Sequence, residues 1–92
     1  MENEIYIASK AAEQLKNLSP EGRDRASKLI DSLSGNGWEN SQIVVPDSKP
    51  GGGLRAKLAG NIKLLFRYAP EQHAMIVADV ASIYEHEFSA VA

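Results

Sequence analysis

The stretch from Leu54 to Tyr68, LRAKLAGNIKLLFRY, decides the fold of this chain. It contains two runs rich in apolar and aromatic residues, separated by a short Ala-Gly-Asn segment, which is typical of two strands joined by a tight turn. Residues 75–81 (MIVADVA) predict a third strand, and residues 4–8 (EIYIA) predict a short opening strand. The second half of the chain is therefore predicted to form a sheet.

Two helices are predicted between the opening strand and the sheet. Apolar residues recur at helical spacing in two stripes: Ala11, Ala12, Leu15 and Leu18, then Ala26, Leu29, Ile30 and Leu33. Ser19-Pro20 separates them and is a strong helix start, because the serine caps the helix and proline tolerates its first position. We predict an α+β fold in which an N-terminal strand and a helical hairpin accompany a twisted antiparallel sheet, with the hairpin on one face and the other face open.

Length and composition limit the possible classes. A chain of 92 residues supports one small core, so we expect a single domain over residues 1–92. Cysteine is absent, which excludes disulfides and thiolate metal sites, and no His and carboxylate spacing predicts a metal or other cofactor. The sequence has no signal-like N-terminus and no apolar run of about 18 residues, so no membrane association and a cytoplasmic location are expected.

The segment from Trp38 to Gly53 has few regular features. It is predicted to be a loop, apart from a brief apolar run over residues 43–45. Trp38 is predicted to cap the small core, because a large aromatic side chain covers much apolar surface.

Charge is unevenly distributed along the chain. Five basic and no acidic residues lie between Ser48 and Pro70, although the formal net charge is −2. Such segregation produces a local positive potential that attracts anions whatever the net charge. Phosphate is the anion that we expect.

The length of the hairpin turn decides which residues share a face of the sheet. A two-residue turn pairs Leu58 with Lys63 and mixes charged and apolar side chains on both faces. A three-residue turn pairs Leu58 with Ile62 and produces one apolar face for the helices, so we favour it. It predicts a composite anion site on the open face, formed by Arg55, Lys57, Lys63 and Arg67. The alternative is a solvated outer face without a ligand.

These segments resemble the RelE/ParE superfamily of bacterial type II toxins. The resemblance rests on IYIASKAAEQLKNL (5–18), SPEGRDRASKLIDSL (19–33), LRAKLAG (54–60), IKLLFRY (62–68) and MIVADV (75–80). It covers residues 4–88 and implies the toxin fold, a cognate antitoxin as partner, and one of two activities. The RelE branch cleaves messenger RNA, usually on the ribosome, whereas the ParE branch inhibits DNA gyrase.

For the RelE branch, metal-independent cleavage requires a base for the 2′-hydroxyl, a cation for the phosphorane and an acid for the leaving oxygen. Arg67 is our candidate for the phosphorane, because a guanidinium can bridge two phosphoryl oxygens. Lys57 or Lys63 is a candidate base, since neighbouring cations favour the neutral form of a lysine. The resemblance implies an acid near the C-terminus and basic residues on the first hairpin strand. The corresponding candidates are Tyr84 and His86 as acids, with Arg55 and Lys57 binding RNA phosphates. Lys49, in the same basic stretch, is a further candidate for phosphate binding.

Three functions remain open at this point. A RelE-like endoribonuclease acting on messenger RNA and the ribosome is favoured. A ParE-like gyrase inhibitor needs neither acid nor base, and a catalytically silent homologue would only bind an antitoxin.

Overall fold

A five-stranded sheet with two helices on one face forms the protein. The computed structural model describes residues 3–35, 37–46 and 53–82. Short 3₁₀ turns lie at Gly37–Asn40 and Pro70–Gln72. The helices and strands, in chain order, are β1 (Glu4–Ile7), α1 (Ser9–Lys16), α2 (Pro20–Ser32), β2 (Gln42–Pro46), β3 (Gly53–Ala59), β4 (Ile62–Ala69) and β5 (Ala74–Ser82).

The strand order across the sheet is β1-β5-β4-β3-β2. Three neighbouring pairs are antiparallel: β3–β4 and β4–β5, as predicted, and β2–β3, which was not predicted. β1 pairs with β5 in parallel, so the sheet is mixed. A parallel pair needs a long connection that crosses back over the sheet. The α1–α2 hairpin lies within that connection and covers one face, which agrees with the predicted α+β class.

The helices begin and pack as their sequence indicates. The Ser19 hydroxyl caps α2 by accepting a hydrogen bond from the Gly22 amide at 3.1 Å, and Pro20 is the first helical residue. Neither helix in the described ranges is long and apolar enough to span a membrane. The largest fully buried side chains of the core are Phe66, Leu33, Ile62, Leu64, Met75, Val77 and Val80.

The turn between β3 and β4 has two residues, so the favoured three-residue register is wrong. Leu58 lies opposite Lys63, and Ala59 lies opposite Ile62. Gly60 adopts a φ of +58°, which suits the first position of a two-residue hairpin turn. The Asn61 side chain stabilises this turn with two hydrogen bonds. Its Oδ1 accepts a hydrogen bond from the Arg25 guanidinium at 2.9 Å, and its Nδ2 donates one to the Ser82 hydroxyl at 3.0 Å.

This register places the hairpin cations on opposite faces of the sheet. Arg55 and Lys57 lie directly opposite the buried, helix-facing residues Phe66 and Leu64 of β4 and so share their face. Lys63 and Arg67 alternate with those residues along β4 and point to the open face. The predicted composite anion site is therefore wrong. Two long basic side chains are tolerated on the helix face because their stems cover apolar surface while their charged ends reach polar groups.

Residues 42–46 form a strand, although the sequence predicted a loop with only a brief apolar run. β2 pairs antiparallel with β3, with a bulge between Ile43 and Val45. All five β2 residues are exposed. Its strand conformation therefore depends on pairing with β3, a long-range contact that local sequence does not show.

Gln14 of α1 satisfies part of the free edge of β5. β1 pairs with β5 only as far as Val77, so no strand of the described part of the chain pairs with the following β5 residues on that side. Gln14 Oε1 accepts a hydrogen bond from the Val80 amide at 2.9 Å, and its Nε2 donates to the Asp79 carboxylate. Lys10 also approaches Asp79, with 3.7 Å between Nζ and Oδ1. One helical side chain thus replaces a missing strand neighbour.

Gln14→Ala is expected to lower the free energy of unfolding by about 1 to 3 kcal/mol, because a partly buried backbone amide loses its acceptor. Urea unfolding followed by circular dichroism measures the change. Glu13→Ala, at an exposed neighbouring position of α1, is the control and should change the free energy by less than about 0.5 kcal/mol. Equal losses in the two variants would contradict the role of Gln14.

Candidate functional site

The open face of the sheet carries one row of side chains that crosses all five strands. Its members, read through the strand register from β2 to β1, are Val45, Leu54, Arg67, Ile76 and Tyr6. A single guanidinium thus stands in the middle of four apolar or aromatic side chains. The arrangement can bind a ligand that combines an anionic group with flat or apolar parts.

Arg67 is exposed and forms no salt bridge with any residue that the structure describes. Lys63 lies on the same face of β4, four residues away, which places the two Cα atoms about 13 Å apart. Leu65 stands between them and is half-buried. The two cations can contact neighbouring phosphates along one strand of nucleic acid, or approach one phosphate from two sides.

A shallow groove of about 390 Å³ lies beside Arg67 at the β1 edge. It is lined by Tyr6, Ile7, Ala8, Gln72 and Ile76. The Tyr6 hydroxyl donates a hydrogen bond of 2.6 Å to the Glu4 carboxylate, and this bond and the charge of Glu4 raise the pKa of the phenol above its ordinary value of 10.0. The Tyr6 hydroxyl therefore stays protonated at physiological pH, and the exposed ring offers an uncharged aromatic surface.

The Arg55 side chain is hydrogen-bonded to the loop that precedes β2. Its Nη1 donates to the backbone carbonyl oxygens of Glu39 at 3.2 Å and Ser41 at 3.0 Å. Its guanidinium also lies 5.2 Å from the ring centroid of Trp38, within the range of a cation–π contact. Trp38 is buried and stacks on Tyr68 at 4.6 Å between ring centroids, which confirms its predicted role as a core cap. Arg55 thus fastens a loop to the sheet.

Lys57 reaches the end of α2. Its Nζ donates a hydrogen bond of 2.9 Å to the Ser32 hydroxyl. The side chain is half-buried and lies on the face opposite Arg67. Lys57 and Arg67 therefore do not share a site on the sheet.

The other sequence-predicted site residues lie outside the described ranges. These are Lys49, Tyr84 and His86. Sequence reasoning also missed Ile76, which the antiparallel β4–β5 pairing places opposite Arg67. It missed Tyr6 as well, which lies one strand further along the same row because β1 pairs in parallel with β5. No local pattern signals that pairing, since the two strands are separated by most of the chain.

Arg55→Met is expected to lower the free energy of unfolding by about 2 kcal/mol. Two carbonyl groups lose a charged donor, and Trp38 loses its cation. Trp38 fluorescence during urea unfolding measures the loss, with Arg23→Met at an exposed site of α2 as the control. A stability equal to that of the control variant would show that the loop does not depend on Arg55.

Comparisons with known proteins identify the fold. No family model matches the chain, and no curated protein matches its sequence. Solved structures do match. A chain of the toxin-antitoxin complex RelBE2 from Mycobacterium tuberculosis superposes with a TM-score of 0.71 at 17% identity, covering 89% of this chain and 92% of that chain.

Two further structures agree with this match. A chain of the archaeal RelE-RelB complex from Pyrococcus horikoshii has a TM-score of 0.71 at 12% identity, with 90% and 97% of the two chains covered. The isolated E. coli RelE toxin has a TM-score of 0.66 at 13% identity, with 98% and 99% covered. The protein is thus an α+β domain with a two-helix layer on a mixed sheet. It shares the fold of these RelE structures, in agreement with the fold that the sequence resemblance implied.

Proposed function

We propose that this chain is the toxin of a type II toxin-antitoxin pair, and that it cleaves messenger RNA on the ribosome without a metal. The observation that carries the proposal is the shared fold with the isolated E. coli RelE toxin over 98% of this chain. Arg67 adds a chemical argument. Its side chain is exposed on the open face and forms no salt bridge with any described residue, so it can bind an anionic ligand.

The proposed reaction is attack of a ribose 2′-hydroxyl on the neighbouring phosphorus. Arg67 stabilises the negative charge that develops on the phosphoryl oxygens, because its planar donors match two of them. Lys63, on the same face, binds the adjacent phosphate or accepts the hydroxyl proton. Tyr84 and His86 remain the candidates for the acid that protonates the leaving oxygen, and Lys49 remains a candidate for binding a phosphate.

The corrected register changes the assignment of the other two cations. Arg55 donates to loop carbonyl groups and Lys57 to Ser32, both on the helix face. We therefore assign neither of them to the phosphate that Arg67 contacts. The groove beside Arg67 takes their place, with Tyr6 stacking on a base while Ile76 packs against it.

An antitoxin is the proposed protein partner. Two of the matching chains come from solved complexes of RelE with RelB or of RelBE2. An acidic segment of such a partner would gain attraction from Lys63 and Arg67 and would exclude RNA by occupying the same face. The electrostatic part of this attraction should weaken with salt, because exposed charges are screened over about 8 Å at physiological ionic strength.

A gyrase inhibitor of the ParE type is the second candidate. The separation of the cations onto two faces favours it, because inhibition by binding requires no composite catalytic cluster. The net charge of −2 also favours a protein target over the phosphate-rich ribosome. A catalytically silent antitoxin-binding homologue is supported by the same two observations.

Induced expression in a bacterial host without the partner tests these functions. The endoribonuclease predicts growth arrest together with new 5′ ends inside messenger RNA coding regions. Growth arrest with intact messenger RNA and a failure of gyrase supercoiling in a parallel assay would favour the ParE type. Normal growth in the presence of soluble, folded protein would favour the silent homologue.

A further inference from the structure

Glu4 and Tyr6 form a hydrogen-bonded pair at the groove beside Arg67. The two residues are two positions apart on β1, so their side chains point to the same face of the sheet, and Tyr6 lies in the row that contains Arg67. Both residues are exposed. Glu4 forms no salt bridge with any residue that the structure describes. Its carboxylate is therefore accessible to a ligand that lies against the Tyr6 ring.

Backbone hydrogen bonds hold the start of β1 in place. The Glu4 amide donates to the His73 carbonyl oxygen at 3.0 Å, and the Asn3 amide donates to the Ser34 carbonyl oxygen at 2.9 Å. The Tyr6 hydroxyl in turn donates to Glu4 Oε2, which fixes the carboxylate beyond the tip of the ring. Oε1 and the second lone pair of Oε2 remain as acceptors for a ligand.

The Glu4–Tyr6 pair presents hydrogen-bond acceptors, because an ionised carboxylate only accepts and the Tyr6 proton is directed at Glu4. In single-stranded RNA, bases are recognised by stacking on aromatic rings and by hydrogen bonds to their Watson–Crick edges. On guanine this edge has two adjacent donors, N1–H and N2–H, which match the two oxygens of one carboxylate. Adenine and cytosine place an acceptor nitrogen beside their amino group, and uracil has one N–H between two carbonyl groups.

We propose that Glu4 selects guanine as the base that stacks on Tyr6. This specificity rests on the proposed function, because the base belongs to the RNA strand whose phosphate Arg67 contacts. The Cα atoms of Tyr6 and Arg67 are two strand spacings apart, about 10 Å, with Ile76 between them. One nucleotide can therefore place its phosphate at Arg67 and its base on the Tyr6 ring. The Glu4 carboxylate then lies at the edge of that base.

Binding of non-cleavable RNA to the full chain tests the proposal. The probes are fluorescent 2′-O-methyl oligouridines that carry one guanosine, adenosine, cytidine or inosine in the middle, and fluorescence polarisation gives their dissociation constants. We expect the guanosine probe to bind at least about fivefold more tightly than the adenosine and cytidine probes, the lower end of what a bidentate base contact provides. Inosine lacks the N2 amino group and should lose most of this preference.

Substitutions at the pair should change the ratio of affinities between the probes. Glu4→Gln should bind all of them about equally, because an amide presents one acceptor and one donor group. Tyr6→Phe keeps the ring but releases the carboxylate, so the guanosine preference should fall while the adenosine probe binds as before. Glu13→Gln removes the same charge from an exposed position of α1 and should keep the wild-type ratio. The ratio cancels the general gain in phosphate binding when a negative charge is lost.

Three results would each overturn the proposal: equal affinity of the wild type for all probes, no measurable binding of the guanosine probe, or an unchanged ratio in folded Glu4→Gln. Thermal unfolding by circular dichroism verifies that each variant is folded. A failure of the proposed function is distinguishable from these results. Absence of messenger RNA cleavage during induced expression would remove the endoribonuclease while the probe ratio still reported on Glu4. Cleavage without a guanine preference would keep the endoribonuclease and remove the role of Glu4.

Discussion

Arg67→Ala is expected to relieve the growth arrest caused by the expressed chain while leaving the protein folded. The Arg67 side chain is exposed and makes no salt bridge in the described ranges, so its removal should change the free energy of unfolding by less than about 0.5 kcal/mol. Loss of one preorganised donor to a transition-state oxyanion commonly lowers kcat by about 10² to 10³. We expect a reduction of that size in the cleavage of messenger RNA.

Primer extension on an induced transcript measures this reduction, with protein level followed by immunoblot. Arg67→Lys keeps the charge but cannot bridge two oxygens, so an intermediate rate is expected. Arg23→Ala, at an exposed arginine of α2, is the matched control and should remain fully toxic. Wild-type cleavage by Arg67→Ala would remove the open face from the proposed mechanism.

The helical layer was predictable from sequence because its signals are local. The apolar stripe over residues 26–33 and the Ser19-Pro20 start define α2 without any knowledge of its neighbours. The hairpin strands were predictable for the same reason, since Gly60 marks the turn between two apolar runs. These local signals were sufficient to predict the α+β class, and the structure confirms it.

The register was not predictable, because it depends on groups that are distant in sequence. Apolar pairing across the hairpin favoured a three-residue turn, but that argument assumed that a basic residue cannot face the helices. Arg55 does so because the carbonyl groups at 39 and 41 accept its hydrogen bonds, and Lys57 does so because Ser32 ends α2 within reach. These polar partners compensate for the mixed face.

The candidate site depended on the same distant contacts. Arg67 was identified from its position on β4 and its chemistry, and it does lie on the open face. Tyr6 could not be placed beside it, since nothing in residues 4–8 shows that β1 joins the sheet in parallel with β5. The basic residues could therefore be identified from the sequence, but their neighbours in the site could not, because the strand order determines which side chains lie side by side.

Neighbouring substitutions on β4 should have opposite consequences. Leu64 is fully buried beneath the helices, whereas Leu65 is half-buried on the open face between Lys63 and Arg67. Leu64→Lys places an unpaired ammonium in the core, which costs several kcal/mol. Because small domains are stable by only about 5 to 15 kcal/mol, we expect Leu64→Lys to be largely unfolded. Leu65→Lys should remain folded at a cost of about 1 kcal/mol.

Leu65→Lys also tests whether the open face binds nucleic acid. It adds a third cation in line with Lys63 and Arg67, so a single-stranded RNA oligonucleotide should bind more tightly. One further phosphate contact should steepen the plot of log binding constant against log salt by about 0.7. Fluorescence anisotropy measures both quantities. Adding Lys28→Leu, at an exposed position of α2, to Leu65→Lys returns the net charge to −2 and so controls for net charge. If Leu65→Lys folds but binds RNA with unchanged affinity and slope, then the RNA path does not cross β4, and the catalytic assignment of Arg67 fails with it.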